Sequence, residues 1–255
     1  MQLKAMISCC PVIMDFTGAY RSQSFACGEG FEWLDCRAIE GTDCYCDKEG
    51  EAALRKLIAA FSPYGLHFLD SGNYHYVTKF WTDKIRERFS LVLFDHHTDM
   101  QPAMFEGLLS CGGWVKDMLD ANPFLQKVLI IGVPEEEAVK VRSERVYVIP
   151  EETCSAASSC AGRFLADCQL PELPVYVSVD KDVLSKEYAS TNWDQGNLAS
   201  DFLVDAIACL MSRYRVIGMD VCGEPDASGG SHACNSNLNN TANARLAELW
   251  KSRSC

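Results

Sequence analysis

The chain has 255 residues and carries 35 Asp+Glu against 23 Lys+Arg, a formal charge of −12. That balance argues against a nucleic-acid or anionic-membrane surface, because polyanions are repelled along most approaches. Apolar residues at 48% and charged residues at 23% exclude dominant disorder, and the length suits one α/β domain over residues 1–255.

Short apolar runs alternate with helical patterns along the chain. The runs at 5–14, 66–69, 91–94, 127–133, 145–149, 174–179 and 215–221 read as strands. Helices are predicted over 49–61, 78–89, 112–120, 158–168 and 200–214. In the last of these Ser200 reads as the N-cap, and Phe202, Leu203, Ala206, Ile207 and Leu210 recur at helical spacing. Continuous apolar strands interleaved with amphipathic helices imply a three-layer α/β/α sandwich around a mostly parallel sheet. In such sheets ligands sit at the carboxyl ends of the strands.

The 14 cysteines invite a disulfide framework, yet they are scattered and many lie inside apolar runs. Cys209 and Cys222 read as small buried hydrophobes. Only Cys36, Cys44 and Cys46 cluster, without a fourth thiol or a histidine at zinc-finger spacing. No secretory leader pattern and no apolar stretch of about 18 residues is present, so reduced thiols, a cytoplasmic location and no membrane partner are expected.

Three predicted strands end in ionisable groups. LVLF runs into Asp95-His96-His97-Thr98-Asp99, PVYVSV runs into Asp180-Lys181-Asp182, and LHFLDSGNY leads to His75. Alternate residues of an extended segment share a face, so Asp95, His97 and Asp99 are expected to point together, as are Asp180 and Asp182. By the same alternation His96 points away. Carboxylates and imidazole packed in a low-dielectric cleft repel one another unless a cation lies between them. Oxygen and imidazole donors suit Mn2+ first, with Fe, Co, Ni or Zn also possible.

LVLFDHHTDM resembles the DAHxD signature of the arginase, agmatinase and formimidoylglutamase (ureohydrolase) family. VYVSVDKDVLS resembles that family's SxDxDxxDP signature, and SGNYH stands where its members carry GGDH. The resemblance implies a three-layer fold and two Mn2+ ions held by His75, Asp95, His97, Asp99, Asp180 and Asp182. Asp95 and Asp180 would bridge the ions, His75 and Asp99 would complete one site, and His97 and Asp182 the other. Two cations roughly 3.5–4 Å apart hold a bridging water and lower its pKa, making a hydroxide nucleophile. The implied activity is hydrolysis of a guanidino or amidino C–N bond, with Asp99 also accepting a hydrogen bond from that nucleophile.

The chain departs from the family pattern in several places. Ser110, Cys111 and Gly112 stand where arginases carry a His-Gly read as a proton shuttle, which leaves His232 as the best alternative proton donor. Glu224 lies four residues after Asp220 instead of three, and it is expected to reach the substrate through an unusual turn at Gly223. The Asp-Pro that closes the second signature is missing. The STNWDQGN segment then offers Thr191, Asn192, Trp193 and Asp194 as substrate contacts. These differences place the chain in a divergent arginase-like branch. The expected partner is a small guanidino compound or an arginine-containing peptide, and a homo-oligomer is compatible with the resemblance. Two other readings stand beside it: an amide deacetylase of the same fold, with Tyr76 as the carbonyl-polarising donor, and a metal-binding protein that has lost catalysis.

Overall fold

Successive side chains of the central strands enter two separate cores, which is why their sequences are apolar throughout. The computed structural model describes residues 10–253 except 29, 103–104, 106, 157–169 and 226–231; the side chains of 156 and 232–236 also fall outside the described set. The strands are β1 (Val12–Asp15), β2 (Glu32–Asp35), β3 (Tyr45–Cys46), β4 (Leu66–Phe68), β5 (Phe89–Phe94), β6 (Leu109–Ser110), β7 (Leu125–Ile131), β8 (Val146–Ile149), β9 (Val175–Asp180) and β10 (Val216–Cys222). The helices are α1 (Lys48–Leu57), α2 (Val77–Thr82), α3 (Trp114–Ala121), α4 (Glu135–Ala138), α5 (Glu151–Ala156), α6 (Ser200–Arg213) and α7 (His232–Ser252).

Eight strands form one sheet in the order β2-β1-β4-β10-β9-β5-β7-β8, and every pairing in it is parallel. Along β5, Leu91 and Leu93 pack with Leu54 of α1, Phe80 and Trp81 of α2, and Trp114 and Met118 of α3. Val92 and Phe94 enter the opposite core with Phe202 and Ile207 of α6 and Leu246 and Trp250 of α7. The predicted three-layer arrangement is thus observed. β3 and β6 form a separate antiparallel pair, Tyr45 opposite Ser110.

Differences from the sequence reading have local causes. The helix expected over 78–89 stops at Thr82, whose hydroxyl donates back to Thr78 O at 2.8 Å, and Phe89 instead opens β5 opposite Leu125. Ala199, not Ser200, occupies the N-cap of α6; the Ser200 hydroxyl accepts from Arg245 Nη1 at 2.8 Å. The predicted helix at 158–168 and the first residues of the predicted strand at 5–14 lie outside the described residues. No disulfide forms among the described cysteines, and no described helix is long and apolar enough to cross a membrane.

Candidate metal centre

The four adjacent strands β4, β10, β9 and β5 end at one place, and the ionisable groups that follow them meet there. After β4 the chain turns through a 3-10 helix (Gly72–Tyr74) that Ser71 caps, accepting from Asn73 N, and this turn delivers His75. His75 Nε2 lies 2.9 Å from Ser178 Oγ on β9, which leaves Nδ1 facing the carboxylates. Asp99 has a left-handed backbone (φ 49) and follows bends at 96–97, so Asp95, His97 and Asp99 converge through turns and not by strand alternation. Lys181–Val183 likewise forms a 3-10 turn capped by Asp180, whose carboxylate accepts from Asp182 N at 3.0 Å.

All six predicted ligand positions come together. His75 Nδ1 lies 3.2 Å from Asp95 Oδ2, 3.1 Å from Asp99 Oδ2 and 3.6 Å from Asp180 Oδ2. His97 Nδ1 lies 2.9 Å from Asp182 Oδ2 and 3.4 Å from Asp95 Oδ1. Two overlapping groups, His75 with Asp95 and Asp99, and Asp95 with His97 and Asp182, share Asp95 through one oxygen each, and a third joins His75 to Asp180 and Cys222; within each group the donor atoms lie within 4.8 Å of one another. Trp114 Nε1 donates to Asp99 Oδ2 at 2.5 Å and fixes that carboxylate. His96 turns away as expected, its Nδ1 3.5 Å from Glu151 Oε2.

The electrostatics are those of a site short of positive charge. Burial alone would raise Asp95, but the His75 and His97 imidazoles beside it hold it below the usual carboxylate range. Burial and the neighbouring Asp95 push Asp99 up to about 6 and raise Asp180, while burial with Asp180 and Asp95 raises Asp182 well above its ordinary value. Burial opposes protonation of His97, yet Asp182 and Asp95 outweigh it and push the imidazole up to about 12. Asp95 Oδ2 is buried with no hydrogen-bond partner, a costly state for a carboxylate oxygen in a dry site. Two divalent ions would balance the four aspartates and occupy that oxygen, so the residues fit such a pair.

A cavity of about 200 Å³ opens onto the cluster, lined by His75, Asp95, His97, Asp99, Asp180 and Asp182 together with Cys44, Tyr45, Gly72, Gln101, Ser110, Cys111, Gly112 and Trp193. The Ser110-Cys111-Gly112 segment that replaces the family's His-Gly is thus in the wall. Other sequence expectations need correction. Glu224 is fully buried, ion-paired with Lys181 Nζ, and accepts from Gln23 Nε2 at 2.7 Å and Asn243 Nδ2 at 2.7 Å; it does not reach the cavity. Its physical reason is Gly223: at φ 89 it turns the chain away, and Glu224 N donates to Asp70 O at 3.0 Å. Thr191, Asn192 and Asp194 do not line the cavity either. Thr191 Oγ1 donates to Trp193 O, Asn192 Nδ2 donates to Asn73 Oδ1 at 2.9 Å, and Asp194 is exposed. Their segment contributes Trp193, which Asn73 Oδ1 holds by accepting from Nε1 at 2.8 Å. Tyr76 is buried with its hydroxyl donated to Thr42 O at 2.5 Å, so it is not a carbonyl-polarising donor here. His232 begins α7, but its side chain lies outside the described residues.

The sequence reading also missed Cys222, Gln101 and Tyr45. Cys222 Sγ lies 3.2 Å from Asp180 Oδ2, and the register of β10 against β9, which pairs Cys222 with Asp180, put it there. Only that pairing could have signalled it.

Comparison with known proteins agrees with this geometry. The model of the arginase family matches residues 70–224. The chain belongs to the arginase family. An uncharacterized protein of Thermotoga maritima is 31% identical over 214 residues, covering 84% of this chain and 79% of that one. Among solved structures, formimidoylglutamase from Bacillus subtilis superposes with a TM-score of 0.69 at 14% identity, covering 95% of this chain and 86% of that one. Proclavaminate amidino hydrolase from Streptomyces clavuligerus also gives 0.69, at 16% identity over 96% and 92%. An arginase-like protein from T. brucei, as a triple mutant bound with Mn2+, gives 0.62 at 15% identity over 98% and 91%. At these identities the structural likenesses establish the arginase-like fold.

Proposed function

We propose that this chain is a dinuclear divalent-metal hydrolase, with manganese as the leading ion, that cleaves a C–N bond in a guanidino, amidino or formimino compound. The observation that carries this reading is the pair of overlapping donor groups joined by Asp95. His75, Asp95, Asp99 and Asp180 would hold one ion, and Asp95, His97, Asp180 and Asp182 the other. When bound, such a pair supplies a water acidified enough to attack a poor electrophile near neutral pH.

The chain's own groups then orient and move protons. Ser178 fixes the His75 ring, and Trp114 fixes Asp99 with one oxygen engaged. Asp99, held by Trp114 through one oxygen and facing the cavity, is the carboxylate best placed to accept a proton from the attacking water and pass it to the leaving amine. The guanidinium-recognising carboxylate of the family has no counterpart at Glu224, so Trp193 and Tyr45 supply aromatic faces at the mouth for a planar cation. Both are partly exposed, which suits a small guanidino compound or an arginine side chain within a peptide.

The test loads the chain with Mn2+ and screens guanidino compounds, formimino compounds, arginine peptides and acetylated amines for urea, ammonia, formamide or acetate release. The reading predicts release of urea or another C–N product, lost in Asp99→Asn and His97→Ala variants that still fold. Acetate release alone would favour a deacetylase. Metal uptake without consumption of any compound would favour a binding protein.

A further inference from the structure

The donor set is not purely oxygen and nitrogen. Cys222 ends β10, fully buried, directly opposite Asp180 in the parallel register of β10 on β9. Its sulfur lies 3.2 Å from Asp180 Oδ2, and that same oxygen lies 3.6 Å from His75 Nδ1. The three donor atoms lie within 4.8 Å of one another. Metal–ligand bonds of about 2.3 Å to sulfur and about 2.0–2.2 Å to nitrogen and oxygen put neighbouring ligand atoms about 2.8–3.7 Å apart across the range from octahedral to tetrahedral angles. The two separations here fall within that range.

One further feature points to a cation at this spot, and a second fixes the carboxylate beside it. Asp95 Oδ2, buried and without a hydrogen-bond partner, faces the same imidazole nitrogen at 3.2 Å. Gly223 follows with φ 89, and a Cβ on it would stand 2.5 Å from Asp180 Oδ1, so the backbone is packed directly against the carboxylate beside the thiol.

We propose that Cys222 is a thiolate ligand of the ion on the His75 side, which makes the centre unsymmetrical. This rests on the two-ion reading above and deepens it. The His97 side has only oxygen and imidazole donors and suits Mn2+, whereas sulfur biases the His75 side towards Zn2+, Co2+ or Fe2+. Binding replaces the S–H bond with a metal–sulfur bond and releases one proton to solvent; no electron is transferred. Cys222 does not line the cavity, so this ligation leaves the substrate side open.

The test strips the full-length chain of metal and titrates it with Co2+ alone, reading absorption. A sulfur-to-cobalt charge-transfer band in the near ultraviolet is expected, absent in Cys222→Ser. In competition, the preference of that site for Zn2+ over Mn2+ is expected to fall on the order of tenfold or more in the variant. Cobalt bound without the band overturns the thiolate assignment and leaves the two-ion reading standing. A band that persists in Cys222→Ser also overturns it, because Cys44 or Cys111 would then be the source. No cobalt binding at all overturns both. Should Cys222→Ser fail to fold, X-ray absorption at the cobalt edge of the unmodified chain decides: a sulfur shell near about 2.3 Å supports the assignment, and nitrogen and oxygen neighbours alone overturn it.

Discussion

Glu224 separates a structural from a substrate-binding role in a way that stability can measure. Its carboxylate and the Lys181 ammonium are both fully buried, and their environments are unequal. Without Lys181, Glu224 keeps amide donors from Gln23, Asn239 and Asn243, at 2.7, 3.2 and 2.7 Å. Without Glu224, Lys181 keeps only Asn243 Oδ1 among the described residues, at 3.0 Å. Glu224→Leu should therefore cost about 3–5 kcal/mol, the usual range for stranding a buried charge. Lys181→Met should cost less, about 1–3 kcal/mol, because neutral donors still compensate the carboxylate. At about 2–4 °C per kcal/mol for a chain of this size, Glu224→Leu lowers the melting temperature by roughly 6–20 °C. The double variant strands neither charge and should recover part of the Glu224→Leu loss. The assay is thermal and urea unfolding of the metal-stripped chain, which removes ligation from the comparison. Single variants within about 0.5 kcal/mol of the parent would refute the ion-pair account. So would a Glu224→Leu protein of unchanged stability that loses only substrate affinity.

Further outcomes follow from the same geometry. A Cβ at Gly72 would stand 2.8 Å from Asp180 Oδ2 and 3.0 Å from Trp193 Cδ1, so Gly72→Ala should weaken metal binding by about 10–100-fold, read by calorimetric titration. Gly132 has φ 112, and its Cβ would meet Val183 Cγ2 at 2.2 Å; Gly132→Ala should cost about 1–3 kcal/mol in a melting experiment. In the ion-free chain His97 is pushed up to about 12 and His75 is raised well above its ordinary value, despite the opposing effect of burial. Raised imidazoles contribute stability that is complete below about pH 6.5, their unfolded value, and is lost as pH climbs towards the folded values. The raised Asp99, Asp180 and Asp182 carboxyls act in the same direction from lower pH, so the metal-stripped chain should be losing stability throughout the range above about pH 6.5 while metal affinity rises, about tenfold per pH unit for each proton displaced. A metal-stripped chain that gains stability across that window would contradict the proton inventory.

The metal ligands were legible because chemistry and pattern coincide: apolar runs that read as buried strands stop abruptly at Asp95, Asp180 and the approach to His75. Alternation along a strand, however, was the wrong reason for their convergence, since β5 ends at Phe94 and turns carry Asp95, His97 and Asp99 inward. β2 was missed because Glu32, Trp33 and Asp35 are exposed; an edge strand paired on one side with β1 needs no apolar run. α7 was missed for a related reason. Asn239 and Asn243 interrupt its apolar stripe, and both point at the buried Glu224. Counting residues from Asp220 could not locate Glu224, because the left-handed Gly223 sets its direction. Trp193 was one of several polar-loop candidates; Asn192 donates to the same Asn73 Oδ1, and it is the seat of the indole against Gly72 that makes Trp193 the cavity wall.

The most direct test of the central claim is the number of divalent ions bound per chain, measured by elemental analysis after loading and removal of excess metal. Two ions are predicted for the parent chain, and one for His97→Ala, whose His75 group remains intact. A parent chain that binds one ion or none, or a His97→Ala chain that still binds two, would contradict the account.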